Sequence, residues 1–123
     1  MFDHIGLRVV DLASSAGLYR AMLAPLGYVV GHQDASSVGF GPKGETALWL
    51  VRIEDAPTQR AGAHLALKAT SRAAVDAFHA AAIAAGAEDH GAPGVRADYG
   101  PTYYAAFVID ADGHNVEAVT FGD

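Results

Sequence analysis

No cysteine occurs in the 123 residues, so disulfides, thiolate nucleophiles and Cys-type zinc sites are excluded, and any metal must be held by His, Asp or Glu. Basic residues are scarce. Eight Lys and Arg stand against 14 Asp and Glu, a formal charge of −6, which lacks the cationic face that a phosphate backbone needs and sets nucleic acid aside as a partner. Nor does any apolar run approach the roughly 20 residues of a membrane-crossing helix. The opening stretch MFDHIGLRVV places Asp3 early and has no basic region before its apolar run, so no secretion signal is read there; a cytoplasmic protein without a membrane partner is expected. What the chain does have is apolar material, 51% of its residues. That is enough for one compact domain with a useful core, but not for two independent ones.

The informative positive feature is an internal repeat. HIGLRVVDLASSAGLYRAML, from His4, lies over HLALKATSRAAVDAFHAAAI, from His64, at an offset of 60 residues. Each copy reads as a short strand followed by a helix: residues 4–10 then 12–24, and residues 64–69 then 71–85. Asp11 and Ser71 hold the same place in the repeat, and their side-chain oxygens can accept from orphan N–H groups of a first helical turn. Pro25 and Gly27 end the first helix and Gly86 the second. Leu12, Ala16, Tyr19 and Leu23, and Val75, Phe78 and Ala82, recur at three- or four-residue steps as core-facing stripes do. Strands are expected near 28–33, 37–41 and 47–53, and again near 88–95, 103–109 and 115–121, the last two joined by the turn Asp-Ala-Asp-Gly-His. Residues 54–61 are polar and contain Pro57, which marks a linker. The expected fold is therefore α+β: two βαβββ modules, 1–57 and 58–123, together one domain, with eight strands in a cup-shaped sheet and the helices outside.

Strand alternation then selects candidate ligands. His4, Gly6 and Arg8 share one face of the first strand, and His64, Ala66 and Lys68 repeat this in the second copy, while the apolar faces cover the helices. Glu117 interrupts the otherwise apolar strand NVEAVTF. Two imidazoles at matching repeat positions and one carboxylate suit a divalent cation and leave coordination positions open for substrate. Taken singly, each of these residues reads more simply as a strand-end or surface polar group. The recurrence of the two histidines at matching positions, together with a carboxylate breaking an apolar strand, is what favours a metal site at His4, His64 and Glu117. His32, His79, His90 and His114 match no ligand position and are expected at the surface, with Trp49 in the core.

DHIGLRVVDLASSAGLYRAMLAPLGY and DADGHNVEAV resemble the vicinal oxygen chelate superfamily, which includes glyoxalase I, extradiol dioxygenases, fosfomycin-resistance enzymes and bleomycin-resistance proteins. The resemblance covers nearly the whole chain. It implies metal ligands on the first and last strands of each module; aligning Gly44 with Gly113 places Leu48 at the fourth position, where glyoxalase I carries an acid. An activity other than standard glyoxalase I is expected for that reason. Arg8 stands where glyoxalase I has an arginine for substrate carboxylates. It and Lys68, its counterpart in the second copy, are candidates for holding an anionic substrate, the alternative being solvated charges at the edge of the cup. Tyr99, Tyr103 and Tyr104, in RADYGPTYYAAF, precede or enter a strand beside the ligands: Tyr103 is a candidate donor in catalysis, and Tyr99, Tyr104 and Leu48 are candidates for lining the substrate.

The function expected is that of a small metal-dependent enzyme, lyase-like or dioxygenase-like, whose cation (zinc, iron, manganese or nickel) chelates vicinal oxygens of a small substrate, with Glu117 taking part. The alternative is a non-catalytic sequestration protein of the bleomycin-resistance type. The resemblance also implies a homodimer, with the modules pairing either within a chain or across the dimer.

Overall fold

The computed structural model describes residues 1–55 and 62–122, and its elements follow the repeat. The first module contains β1 (Ile5–Val9), α1 (Leu12–Leu23), a 3-10 turn (Ala24–Leu26), β2 (Val29–Gln33), β3 (Ser37–Gly41) and β4 (Leu48–Arg52). The second contains β5 (His64–Lys68), α2 (Arg72–Ala84), β6 (Glu88–Val95), β7 (Tyr104–Ile109) and β8 (Asn115–Thr120). Of the expected linker, residues 54–61, only Glu54 and Asp55 are described, in a bend; the rest of it, and the division between 57 and 58, lie outside the described residues.

Both helix starts form as the sequence predicts. The Asp11 side chain accepts from the Ser14 N–H and the Ser71 side chain from the Ala74 N–H, each satisfying a first-turn donor that has no intrahelical partner. Gly27, at φ 83°, ends the 3-10 turn in the left-handed conformation.

The eight strands divide into two sheets of four, ordered β1-β4-β3-β2 and β5-β8-β7-β6. In each, the strand that opens the module pairs in parallel with the strand that closes it, and the remaining pairs are antiparallel. β1 and β5, the two histidine-led strands, thus lie at sheet edges. α1 packs on β3 and β4, α2 packs on β7 and β8, and the two helices pack on each other. The core joins both modules, with Leu7, Val9, Tyr19, Met22, Phe40 and Leu50 from the first and Val75, Phe78, Val108 and Val116 from the second. Burying these apolar faces against the helices leaves the opposite, concave faces of both sheets open.

A polar clamp sets one module against the other. The β7–β8 turn carries Asp110, which accepts from the Tyr19 hydroxyl at 2.6 Å, and Asp112, which accepts from the Val10 N–H at 3.0 Å. His114 bridges the modules: its Nδ1 accepts from the Ala63 N–H at 3.0 Å and its Nε2 donates to the Arg8 carbonyl at 2.9 Å. The expectation of a surface role for His114 is therefore corrected, since the side chain is buried and satisfies two backbone groups that would otherwise lack partners. No helix among the described residues is long and apolar enough to cross a membrane.

Candidate functional site

The concave face of the second sheet holds a buried carboxylate. Strand register aligns Ala66, Glu117, Phe107 and Gly91 in one row across β5, β8, β7 and β6. Glu117 is only 2% exposed, and a buried carboxylate persists only with partners. One is the Tyr103 hydroxyl, which donates to Oε1. The other is His64, whose Nε2 lies 3.1 Å from Oε2. Burial, followed by the hydrogen bond to Glu117, pushes the Tyr103 phenol up to about 12, so it remains a donor at neutral pH. Tyr99 and Phe121 meet the Tyr103 ring edge-on, each with centroids 5.2 Å away.

The orientation of the His64 ring decides what it offers. Its Nδ1 lies 3.2 Å from the Asn115 carbonyl oxygen, an atom that can only accept, so Nδ1 carries the proton in that contact. In the neutral ring Nε2 then presents a lone pair. It presents that lone pair to Glu117 Oε2, and two acceptors at such a distance require between them either a proton, carried by the ring or by the carboxyl group, or a cation. Two ligands about 2.1 Å from one ion and roughly 90–110° apart stand about 3.0–3.4 Å from each other, so the observed separation fits a cis pair of metal donors.

His4 occupies the other concave face. It is exposed, its Nδ1 pairs with Asp3 Oδ1 at 2.7 Å, and it borders an open hollow lined by Gly6, Ser37, Thr46, Trp49 and Val51. Among the described residues, no group of three or more His, Cys, Asp or Glu side chains stands close enough to hold a metal ion. One chain thus brings His64 and Glu117 together and leaves His4 apart from them.

Three expectations are corrected by register and facing. Leu48 pairs with Ile5 and is buried in the core, whereas Trp49 pairs with Gly6 and faces the hollow beside His4. The counterpart of Glu117 in the first module is consequently Trp49, not Leu48. Tyr104 alternates with Tyr103 and points to the helix side, where its hydroxyl donates to Asp76 at 2.6 Å and the Arg72 guanidinium lies 4.8 Å over its ring. It packs α2 against the sheet and does not line the site. Arg8 and Lys68 are exposed, but neither borders the hollow of about 440 Å³ at His64, which is lined by His90, Gly91, Arg96, Tyr99, Phe107 and Asn115. Arg96 is the basic residue there, and no periodicity or repeat position in the sequence marks it.

A family model described as a glyoxalase-like domain matches residues 4–119. A search of curated proteins finds no match. Among solved structures, a glyoxalase/bleomycin resistance protein from Albidiferax ferrireducens T118 is 30% identical, with 97% of each chain covered and a TM-score of 0.82. A glyoxalase/bleomycin resistance protein/dioxygenase family enzyme from Burkholderia phytofirmans PsJN is 17% identical over 95% of each chain, TM-score 0.71. A glyoxalase-related enzyme from Fulvimarina pelagi is 18% identical over 94% of this chain and 84% of its own, also at 0.71; these last two likenesses concern the fold alone. With the paired βαβββ modules and the match running through nearly all of both, this chain belongs to the glyoxalase-like family.

Proposed function

We propose that the chain is a metal-dependent enzyme acting on a small substrate with two neighbouring oxygens, its cation held by His64 and Glu117 of one chain and His4 of a second copy. The observation that carries this reading is the His64–Glu117 contact, a ring nitrogen and a carboxylate oxygen 3.1 Å apart, as cis donors to one cation would stand, with the far nitrogen of the ring directed at a backbone carbonyl. A hydrogen bond from Nδ1 to an acceptor is the usual way a protein fixes the tautomer of a ligating histidine. The second copy is invoked because the described residues of one chain supply two donors at this point, while β1 and β5 are both edge strands with their histidines on open faces.

Bound there, a divalent cation supplies Lewis acidity toward vicinal oxygens and stabilises negative charge that develops on one of them. The chain's own residues do the rest. Tyr103 holds Oε1 of Glu117 and leaves Oε2 directed at His64. Tyr99 and Phe107 wall the hollow. Histidine and carboxylate donors accept zinc, iron, manganese or nickel.

Two measurements test this. Elemental analysis of untagged protein should find metal in stoichiometric amount in the wild type and none in Glu117→Ala; equal metal in both sinks the site. Mixing His4→Ala with His64→Ala protein should restore metal binding to about a quarter to a half of the wild-type level, since mixed dimers regain one intact site; no restoration removes the shared arrangement.

A second reading, ligand sequestration without catalysis, is favoured by Trp49. The counterpart of Glu117 is an aromatic residue, which suits stacking on a flat ligand better than ligating an ion. A thermal-shift screen separates the two, because divalent ions raise the melting temperature only under the first reading.

A further inference from the structure

We infer that Arg96 forms a built anion site in the His64 hollow and that the substrate carries a carboxylate which this guanidinium binds. The inference rests on the proposed function for the identity of the hollow, but not for the anion contact itself.

Three observations carry it. The guanidinium is fixed before any ligand arrives: Nη1 donates to the Gly94 carbonyl at 3.0 Å, Nη2 donates to the Ala92 carbonyl at 2.7 Å, and its carbon lies 5.3 Å over the Phe107 ring. The backbone is cleared to receive it. A Cβ on Gly91 would stand 3.0 Å from both Nη2 and Phe107 Cδ1, and a Cβ on Gly94 would stand 3.1 Å from Nη1. Two glycines in HGAPGVR thus make room for one side chain.

Finally, Arg96 forms no ion pair with a carboxylate among the described residues, in contrast to Arg52, which pairs with Glu54 at 3.2 Å. The two carbonyls occupy only part of its donor set. The remaining N–H groups, on a planar cation preorganised by backbone and aromatic contacts, suit the fork of a carboxylate. Holding a side chain in its bound geometry beforehand reduces the ordering entropy lost on binding.

Position gives the site its meaning. Phe107 is the cross-strand neighbour of Glu117, and His64 lies stacked near Phe107 with ring centroids 6.3 Å apart. Arg96 and His64 border the same hollow of about 440 Å³, ample for a small organic acid whose carboxylate meets Arg96 while its other oxygens face His64, the neighbour of Glu117. The substrate class is therefore a small acid with vicinal oxygens. Arg96, rather than Arg8 or Lys68, selects it.

The test uses chelator-treated full-length protein, so that it does not depend on metal binding. Succinate is titrated at constant ionic strength against sodium chloride as control, with backbone amide and arginine Nε–H shifts followed by NMR. Saturable shifts are expected at Gly91, Arg96, Tyr99 and Phe107 in the wild type. Arg96→Met, which keeps the aliphatic stem over Phe107, should weaken binding about tenfold or more; Arg96→Lys should fall between, since the charge stays and the fork is lost. Retained folding is read from the dispersion of the same spectra. No saturable shift in the wild type, equal affinity in Arg96→Met, or loss of binding in Arg8→Met instead would each overturn the assignment. The metal content of Glu117→Ala reports separately on the metal reading, so the two can fail independently.

Discussion

Trp49 stands on β4 where Glu117 stands on β8. Gly6 pairs with Trp49 and Ala66 pairs with Glu117, and Gly6 and Ala66 are the same position of the repeat, 60 residues apart. The two sheets therefore present a pseudo-symmetric pair of positions, one acidic and buried, the other aromatic and half-buried.

Trp49→Glu should convert this asymmetry into a second carboxylate. Under the shared-site reading, the variant should bind divalent cations about tenfold more tightly than wild type, a gain of about 1.4 kcal/mol, measurable by calorimetry on chelator-treated protein. Unchanged affinity would place Trp49 outside the metal site. Its ring packs 5.3 Å from His32, so melting temperature must be followed alongside.

Tyr103→Phe removes the hydroxyl that donates to Glu117 Oε1. Because the carboxylate is 2% exposed, water cannot readily replace the lost donor, and a cost of about 1.5–3 kcal/mol in urea unfolding is expected. In the background Glu117→Gln the same substitution should cost clearly less, since a neutral partner remains. Equal costs in the two backgrounds would argue against a charge-assisted bond.

These relationships divide sharply between what the sequence makes readable and what it hides. Helix starts at Asp11 and Ser71, the alternation in β1 and β5, and the duplication of the whole module rest on local chemistry and period, and all appear in the structure. The facing of Leu48 and Trp49 is different in kind. Gly44 and Gly113 both adopt the left-handed conformation, φ 84° and 86°, so aligning them is physically sound; but residues 42–47 join β3 to β4 whereas 110–114 join β7 to β8. One additional residue after the glycine reverses which side chains face the core. The bridging role of His114 is hidden for another reason: its partners Ala63 and Arg8 are distant in sequence and contribute backbone atoms, which carry no residue signature. Arg96 is likewise held by carbonyls and by the absence of side chains at Gly91 and Gly94.

Alkaline pH should weaken the fold through Tyr19 and Tyr103. Burial, then the Asp110 charge and hydrogen bond, raises the Tyr19 phenol far above its ordinary value of 10.0, and burial with Glu117 raises Tyr103 to about 12. A folded-state value above the unfolded one means that the folded form retains its proton while the unfolded form loses it. The contribution is whole below pH 10, declines as the unfolded chain ionises, and for Tyr103 is exhausted above about 12. Urea midpoints from pH 9 to 11.5 should fall in the wild type and fall less steeply in Tyr19→Phe. Parallel slopes would mean that Tyr19 ionises as readily folded as unfolded.

Substitution of His114 should loosen the two modules, and the kind of loss identifies the cause. Nδ1 accepts from Ala63 and Nε2 donates to Arg8, an arrangement only the neutral ring protonated at Nε2 can make; nitrogen chemical shifts should show that tautomer. His114→Ala strands a backbone N–H and a carbonyl and opens a cavity, at an expected cost of about 2–4 kcal/mol. His114→Phe fills most of the space but restores neither hydrogen bond. If the clamp acts through hydrogen bonding, the phenylalanine variant should be nearly as unstable as the alanine variant, and hydrogen exchange should quicken at the Ala63 and Val10 amides, the second through disturbance of the neighbouring Asp112 contact. If packing dominates, phenylalanine should recover most of the lost stability and leave Val10 protected.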